Sequence, residues 1–283
     1  MKRLPIVLLL SVAVFSAAST TTWKRASLQG TGQATAAGEC KEWSYYGADG
    51  PGHWATLFPR DCGGKQQSPV DIVNSMPRSL PAIGLSYGSS KLTVNREHYA
   101  PQVNYDPGSS INYAGKTYDL LQFHFHLPGE HRISGGGYVM EMHLVHKTPD
   151  GQNTAVIGVL FKAQGAPNPA FKPIIDNLPP PGSDHGGTGP EINALKLLPS
   201  NRSYYKYAGS LTVPCCSEPV LWLVLAHPVI ISGDQLKKFQ YSQGGKRNNR
   251  PVQRRVKVES KERSRIKRTE PYIGRHASCS FVG

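Results

Sequence analysis

The chain contains 283 residues, of which 39% are hydrophobic and 18% are charged. Its 29 glycines and 23 prolines indicate many turns but fall short of a low-complexity composition, which excludes a mainly disordered chain and a coiled coil. The formal net charge of +13 makes acidic partners worth considering.

The first 18 residues have the three-part pattern of a secretory signal peptide. A positively charged start, Met1–Arg3, precedes an apolar run from Leu4 to Phe15 and the small residues Ser16–Ala18. The apolar run is shorter than the roughly 20 residues that a transmembrane helix needs. We therefore expect a secreted, extracellular protein without a membrane anchor, in which residues 1–18 are a signal peptide and residues 19–40 form a flexible leader.

From Trp43 onward, short alternating hydrophobic runs are separated by Gly, Pro, Asn and Asp, a pattern typical of β-strands. Helical periodicity is limited to residues 169–178 and 232–240. We therefore predict a single, mostly β domain over residues 41–256. Its predicted strands include Lys91–Val94, Gln102–Tyr105, Asp119–His126, Tyr138–His146, Thr154–Lys162 and Pro219–Leu225.

One of these strands carries two histidines at alternating positions. Because successive side chains of a strand point to opposite faces, Gln122, His124 and His126 share one face, and Phe123 and Phe125 share the other. The alternative for such a His-x-His pair is two surface histidines that bind no metal.

A second strand contains the acidic residue Glu141 two positions before His143, so that both lie on one face while His146 points away. If the two strands are neighbours, three imidazoles converge. Three neutral nitrogen ligands and one open position are what a catalytic zinc site requires. Gln122 and Glu141 would then be placed to hold the outer N–H groups of the ligand rings.

Cysteine content agrees with an oxidising compartment. The cysteines are Cys40, Cys62, Cys215, Cys216 and Cys279, and an odd number leaves at least one thiol free or paired between chains. Adjacent Cys215 and Cys216 cannot readily bond to each other, so each needs another partner. Asn201 begins an Asn-Arg-Ser triplet, which predicts N-glycosylation but also occurs by chance.

The composition turns strongly basic near the C-terminus. Residues 246–268 contain eleven Lys and Arg against Glu259 and Glu262. We predict a solvated basic tail over residues 257–283. The charge either only aids solubility or binds acidic polysaccharide, acidic matrix protein or a mineral-associated polyanion. We expect no nucleic-acid binding, since no base-reading module is present.

Segments spread over residues 41–253, from Trp43–Tyr45 and Gln67–Ile72 through the two histidine strands to Tyr207–Thr212 and Asn248–Pro251, together resemble the motifs of the α-class carbonic anhydrases. The resemblance implies a large, mainly antiparallel twisted central sheet with a few short helices. It also implies a zinc enzyme that reversibly hydrates carbon dioxide to bicarbonate and a proton. The matching segments are Trp43–Tyr45, Gly50–Trp54, Gln67–Ile72, Gln122–His126, Gly129–His131, Glu141–His146, Tyr207–Thr212, Trp222 and Asn248–Pro251.

By position, the resemblance implies that His124, His126 and His143 are the three Zn2+ ligands. Thr212 matches the residue that accepts a hydrogen bond from zinc-bound hydroxide, and Glu130 matches the acid that orients the Thr212 hydroxyl. Sensitivity to sulfonamide-type inhibitors is implied as well. The remaining matches are the outer partners Gln122 and Glu141, the buried polar residues His131 and Tyr207, the apolar wall for carbon dioxide at Val145, Val156, Leu211 and Trp222, and the disulfide pair Cys62 and Cys216.

Departures from the family pattern concern the proton path and one cysteine. His98 is the candidate proton shuttle, but it lies five residues before Val103, one more than in the family, and the alternative is an exposed loop histidine. Val213 follows Thr212 where a second hydroxyl residue is often found. Cys215 stands where the family usually has Pro, and its candidate partners are Cys40, Cys279 or a second chain.

The presence of all three ligand histidines, with Glu130 and Thr212, favours an active enzyme. The alternative is a catalytically weak carbonic-anhydrase-like matrix or polyanion-binding protein. The two roles are compatible, because a basic tail can localise an active enzyme in a polysaccharide matrix or at a site of biomineralisation.

Overall fold

The computed structural model of the protein describes residues 42–254 and 256–261. The predicted signal peptide, the predicted leader and the chain beyond residue 261 lie outside these residues. Within the described ranges, no helix has the length and apolar character needed to cross a membrane.

The described chain is mostly β, as predicted. Its helices are α1 (Trp54–Leu57), α2 (Lys172–Asp176) and α3 (Gly233–Ser242), with single 3₁₀ turns at Gly47–Asp49, Pro169–Phe171 and Ala194–Leu197. Its strands are β1 (Asp71–Ile72), β2 (Met76–Arg78), β3 (Gly84–Ser86), β4 (Ser90–Glu97), β5 (Ala100–Asn104), β6 (Ser110–Tyr113), β7 (Lys116–His126), β8 (Arg132–Ile133), β9 (Met140–Lys147), β10 (Thr154–Ala163), β11 (His185–Ile192), β12 (Tyr204–Gly209), β13 (Val220–Leu225), β14 (Val229–Ile231) and β15 (Glu259–Lys261).

Thirteen of these strands form one large sheet, and β1 and β8 form a separate parallel pair. The path across the large sheet runs β11-β4-β5-β7-β9-β10-β13-β12-β15-β2, with β14 beside β10 and with β6 between β3 and β7. Most neighbours are antiparallel, as expected, but β10 is parallel to both β13 and β14, and β15 is parallel to β2. The sheet is therefore mixed rather than purely antiparallel.

The two faces of the sheet carry different side chains, because successive residues of a strand point to opposite faces. On β7 and β9, Phe123, Phe125, Met142 and Leu144 belong to the larger hydrophobic cluster. The intervening residues face the opposite side, where β10 and β13 contribute a second cluster around Trp222. This second face carries the histidines.

Both predicted helical regions contain helix. The region 169–178 contains a 3₁₀ turn that leads into α2, and 232–240 contains most of α3. Ser232 begins α3 with a capping box, because its hydroxyl accepts the backbone N–H of Gln235 at 3.2 Å while the Gln235 side chain accepts the N–H of Ser232 at 3.1 Å.

The sheet continues past residue 256, where we expected the domain to end. In β15, Glu259 pairs with Lys206 of β12 and with Met76 of β2. Arg250, inside the basic window, is also part of the folded domain: it is 2% exposed, and its guanidinium donates to the Ser68 carbonyl at 2.9 Å. Residues 259–261, which we assigned to the basic tail, are therefore part of the sheet.

Candidate metal centre

Strands β7 and β9 are antiparallel neighbours, and their register brings three imidazoles together. His124 pairs directly with His143, and His126 pairs with Glu141. The ring centroids of the three histidines lie 4.6 to 5.3 Å apart. One ring nitrogen from each of the three lies within 4.8 Å of the others. The convergence that alternation predicted for neighbouring strands is present.

The second nitrogen of each ring faces an acceptor oxygen. Nδ1 of His124 lies 2.8 Å from Oε1 of Gln122, Nδ1 of His126 lies 2.7 Å from the carbonyl oxygen of Asn248, and Nε2 of His143 lies 2.9 Å from Oε1 of Glu141. Because carbonyl and carboxylate oxygens only accept, each of these nitrogens must carry the proton. The lone pairs left for a metal are therefore on Nε2 of His124, Nε2 of His126 and Nδ1 of His143.

Glu141 is fully buried, and its carboxylate accepts four hydrogen bonds. Oε2 accepts the backbone N–H groups of Glu130 and His131, each at 2.8 Å. Oε1 accepts Nδ1–H of His131 at 2.6 Å and Nε2–H of His143 at 2.9 Å. Burial alone would raise the pKa of Glu141, but the electrostatic attraction and hydrogen bonds of the His131 and His143 rings hold it well below its usual range. The site therefore contains a permanent buried anion.

Behind Glu141, a chain of hydrogen bonds leads away from the histidines. Nε2 of His131 accepts the hydroxyl of Tyr207 at 2.6 Å, and the Tyr207 oxygen lies 2.9 Å from Oγ of Ser68. Oγ of Ser68 in turn accepts the backbone N–H of Ser210 at 3.0 Å. His131 and Tyr207 thus lie where we expected buried polar support, two steps from the metal-facing nitrogens.

The histidines have the protonation state that a metal needs. Burial lowers the pKa of His126 to about 4 and lowers the pKa values of His124 and His143 as well, so all three rings are neutral at pH 7. Nε2 of His126 is buried and has no hydrogen-bond partner among the described residues. A buried ring nitrogen without a partner is costly unless an electron-pair acceptor faces it. The donor set therefore fits zinc, which prefers tetrahedral nitrogen ligands.

Thr212 and Glu130 lie beside the triad, and both are buried. Burial raises the pKa of Glu130 to about 7, whereas hydrogen bonds from the Arg250 backbone N–H and the Thr212 side chain lower it. The Arg250 bond measures 2.8 Å to Oε1. Oε2 has no hydrogen bond of ordinary geometry among the described residues, so the Thr212 contact is a loose one. Glu130 also lies 3.9 Å from Nε2 of His143.

The four residues expected to form an apolar wall come together in one cluster. Val156 of β10 pairs with Val145 of β9 on one side and with Trp222 of β13 on the other. Val156 and Trp222 are buried members of the cluster, and Val145 and Leu211 are partly buried against it. The Trp222 ring centroid lies 4.8 Å from that of His143. The cluster is thus an apolar surface adjoining the histidines.

His98 lies in the two-residue turn between β4 and β5 and is exposed to solvent. Its ring is stacked on Trp43, with centroids 6.2 Å apart and planes 2° from parallel. The turn leads into β5, where Gln102 pairs with His124 of β7, and the His98 charge contributes to lowering the pKa of His124.

The expected disulfide between Cys62 and Cys216 is present. It lies in a small cluster with Trp54 and Phe58, and Cys216 belongs to the same loop as Thr212. Cys215 is disulfide-bonded too, whereas its candidate partners Cys40 and Cys279 lie outside the described residues.

Asn201 lies in the loop before β12. Its Oδ1 accepts the backbone N–H of Ser203 at 3.1 Å, and its Nδ2 donates to Nε2 of His227 at 2.9 Å. The glycosylation of Asn201 remains a prediction.

Sequence reasoning assigned no role to Asn248 or Gly158. The Asn248 carbonyl holds His126 from 122 positions away, and its side chain binds the backbone on both sides of that histidine, at the Phe125 carbonyl and the Leu127 N–H. Gly158 lies opposite His143 on β10, where a β carbon would come within 3.2 Å of Oε1 of Glu141. A backbone acceptor and a missing side chain leave no chemical signature in the sequence, although Asn248 lies in one of the matching segments.

Comparison with known proteins identifies the family. The model of the family described as eukaryotic-type carbonic anhydrase matches residues 49–268. A carbonic anhydrase of Nostoc sp. is 40% identical over 222 residues, covering 75% of this chain and 82% of that protein. One of Neisseria gonorrhoeae is 38% identical over 255 residues, covering 89% and 93%.

Solved structures of carbonic anhydrases are similar to this chain as well. A hyperthermostable carbonic anhydrase identified from a hydrothermal vent chimney has a TM-score of 0.72 at 40% identity, covering 78% of this chain and 100% of that one. The α-carbonic anhydrase of Thermovibrio ammonificans, solved with sulfanilamide, has a TM-score of 0.72 at 38% identity, covering 78% and 99%. With its histidine triad able to bind a metal, the chain belongs to the α-carbonic anhydrases, a family of zinc-dependent enzymes that hydrate carbon dioxide.

Proposed function

We propose that His124, His126 and His143 hold the catalytic zinc and that carbon dioxide is hydrated beside them. The observation that carries this assignment is the set of three outer ring nitrogens, each placed on an acceptor oxygen at 2.7 to 2.9 Å. This arrangement leaves a neutral lone pair on one nitrogen of each ring, and the rings bring three such nitrogens within 4.8 Å of one another. When bound there, zinc supplies a Lewis acid that makes a water molecule nucleophilic near neutral pH.

Thr212 orients the nucleophile. Its side chain contributes to lowering the pKa of Glu130, and we assign its hydroxyl proton to the Glu130 carboxylate. With its own proton committed, the Thr212 oxygen can only accept. The nucleophile must therefore donate its O–H to Thr212, which leaves its lone pair directed at the substrate carbon. The Arg250 backbone N–H fixes the carboxylate from the other side.

The cluster formed by Val145, Val156, Leu211 and Trp222 binds the substrate. Carbon dioxide has no net dipole and little hydrogen-bonding capacity, so an apolar wall can hold it where water is poorly retained. The Trp222 indole N–H is already bonded to the Ser210 carbonyl at 2.9 Å, which keeps that donor away from the wall. A relative was solved with sulfanilamide, and we expect sulfonamides to compete for the same place here.

The product proton leaves through His98. This histidine is exposed, and its imidazole can accept a proton on one ring nitrogen and donate one from the other, so it can pass a proton from the site to buffer.

Stopped-flow carbon dioxide hydration tests the proposal, with zinc content measured on the same sample. We expect about one zinc per chain in the native protein, and loss of both zinc and activity in His143→Ala. Zinc at one per chain without hydration would overturn the catalytic assignment and favour a binding or matrix role. Full zinc content in His143→Ala would overturn the ligand set. Asn201→Gln, far along the chain from the triad, serves as the control substitution.

We further propose that the mature enzyme is secreted and that its basic tail binds a polyanion. The support is the signal-peptide pattern of residues 1–18 and the excess of Lys and Arg after residue 256. Because β15 reaches Lys261, the tail should be removed after that residue rather than after Val256. Longer retention of the full chain than of the truncated chain on a heparin column would support the tail assignment, and equal retention would overturn it.

A further inference from the structure

The turn that carries His98 adopts a backbone conformation that its residues disfavour. Glu97 pairs with Ala100 across the hairpin, which leaves only His98 and Tyr99 to reverse the chain. Both have positive φ angles, of 47° and 67°. A two-residue hairpin with two positive φ angles normally contains Asn and Gly, because a β carbon is crowded there. Something outside the turn must therefore hold it.

Two side chains from a distant part of the chain bind the turn at one atom. The Tyr99 carbonyl accepts Nε2–H of Gln243 at 2.8 Å and Nδ2–H of Asn248 at 3.0 Å. Asn248 also supports His126, so its replacement would disturb the metal site directly. Gln243 has no contact of this kind with a histidine of the triad and is therefore the residue that can be tested.

Gln243 also binds the strand that leads into the turn. Its Oε1 accepts Nε–H of Arg96 at 3.3 Å, and the Arg96 guanidinium donates to the Ser242 carbonyl at 2.5 Å and to the Ser183 carbonyl. Gln243 directly follows α3 and is 9% exposed, so water competes little for its amide. Gln243, at the C-terminal end of α3, is thus hydrogen-bonded to the hairpin at Arg96, before His98, and at Tyr99, after it.

We propose that Gln243 is a positioning residue for proton transfer by His98. The inference rests on the proposed function, in which His98 carries the product proton. A shuttle acts only when its ring lies within hydrogen-bond reach of the water chain that leads to the site, directly or through one water. Loss of the Gln243 amide frees the strained turn to relax, and His98 then spends less time in the competent position.

The test compares Gln243→Met with Gln240→Met. The first removes both hydrogen bonds at nearly constant length, and the second places the same side chain on an exposed position of α3, the helix that Gln243 follows. We measure kcat and kcat/KM for carbon dioxide hydration in weak buffer, then add imidazole as a small diffusible base. Since proton release follows the step that consumes carbon dioxide, it limits kcat but does not enter kcat/KM.

We expect Gln243→Met to lower kcat by about threefold or more in weak buffer, below the roughly 100-fold that a 1 Å misplacement can cause. We expect kcat/KM to stay within about twofold of the native value, and imidazole to restore kcat. Gln240→Met should match the native protein. A kcat for Gln243→Met equal to that of Gln240→Met would overturn the inference, as would a loss of kcat that imidazole does not restore.

His98→Ala separates this inference from the proposal beneath it. If His98→Ala loses imidazole-rescuable kcat and Gln243→Met does not, Gln243 has no positioning role and the shuttle stands. If His98→Ala keeps its kcat, both the shuttle and this inference are overturned, while the metal site is still judged by His143→Ala. If Gln243→Met does not fold, Gln243→Asn keeps the amide but shortens its reach by one carbon, and the same expectations and refutations apply to it.

Discussion

Replacement of Glu141 by Gln tests whether the buried carboxylate controls the metal site. The carboxylate accepts two hydrogen bonds on each oxygen, and the two on Oε2 come from backbone N–H groups that cannot turn away. Gln has one oxygen and an NH₂ group that only donates. In either orientation, two of the four donors lose their acceptor.

The size of the loss in zinc affinity and in stability depends on which two donors lose their acceptor. If the Gln NH₂ faces the rings, His143 must present Nε2 as an acceptor, which moves its proton to Nδ1 and removes the lone pair aimed at the metal. If it faces the backbone, two buried N–H groups are unpaired, at about 1 to 3 kcal/mol each. We expect zinc affinity to fall about 10- to 100-fold and the free energy of unfolding to fall by about 2 to 6 kcal/mol.

Zinc affinity is measured by competition with a chelator of known affinity, and unfolding by denaturant titration of the metal-free protein. Glu191→Gln makes the same change on an exposed position of β11 and should leave both quantities unchanged. A zinc affinity for Glu141→Gln within about twofold of the native value would refute the argument. It would mean that the three histidines orient themselves without the anion behind them.

Three further predictions concern separate parts of the molecule. Thr212→Val should retain zinc but lose about 100-fold in kcat/KM, since it removes the oxygen that accepts from the nucleophile, and an unchanged kcat/KM in stopped-flow measurements would contradict this role. Burial lowers the pKa of His146 from 6.5 to about 4, so the unfolded chain binds more protons than the native one between these pH values, and stability must fall as pH falls through that window. By denaturant titration of the metal-free proteins from pH 7.5 to 4, the native chain should lose up to about 3 kcal/mol more than His146→Gln, and parallel pH profiles would refute this. The Cys62–Cys216 disulfide closes a loop with a sequence separation of 154, so its double replacement by Ala should cost about 2 to 5 kcal/mol of unfolding free energy, and a change below about 1 kcal/mol would refute that estimate.

Local chemistry in the sequence was sufficient for much of the site. Alternation along one strand placed Gln122, His124 and His126 on one face before any neighbour was known, because the period of a strand is a property of the backbone alone. The same reasoning placed Glu141 with His143 and directed His146 to the other side, where it packs under the sheet with Nε2 2.7 Å from the Tyr87 hydroxyl. The resemblance to the family supplied the Cys62–Cys216 pairing and the apolar wall around Trp222.

Only the tertiary structure decided which groups meet. Three contacts join segments that are far apart in the chain. His124 pairs with His143 across two strands, the Asn248 carbonyl accepts a hydrogen bond from His126, and Gln243 donates one to the Tyr99 carbonyl. Two of these three contacts use backbone carbonyl oxygens. Because every residue carries one, the residue type at the acceptor position does not indicate the contact. The reach of β15 beyond residue 256 was hidden for a related reason. A strand of three polar residues has no hydrophobic period, and its place between β12 and β2 depends on the neighbours that pair with it.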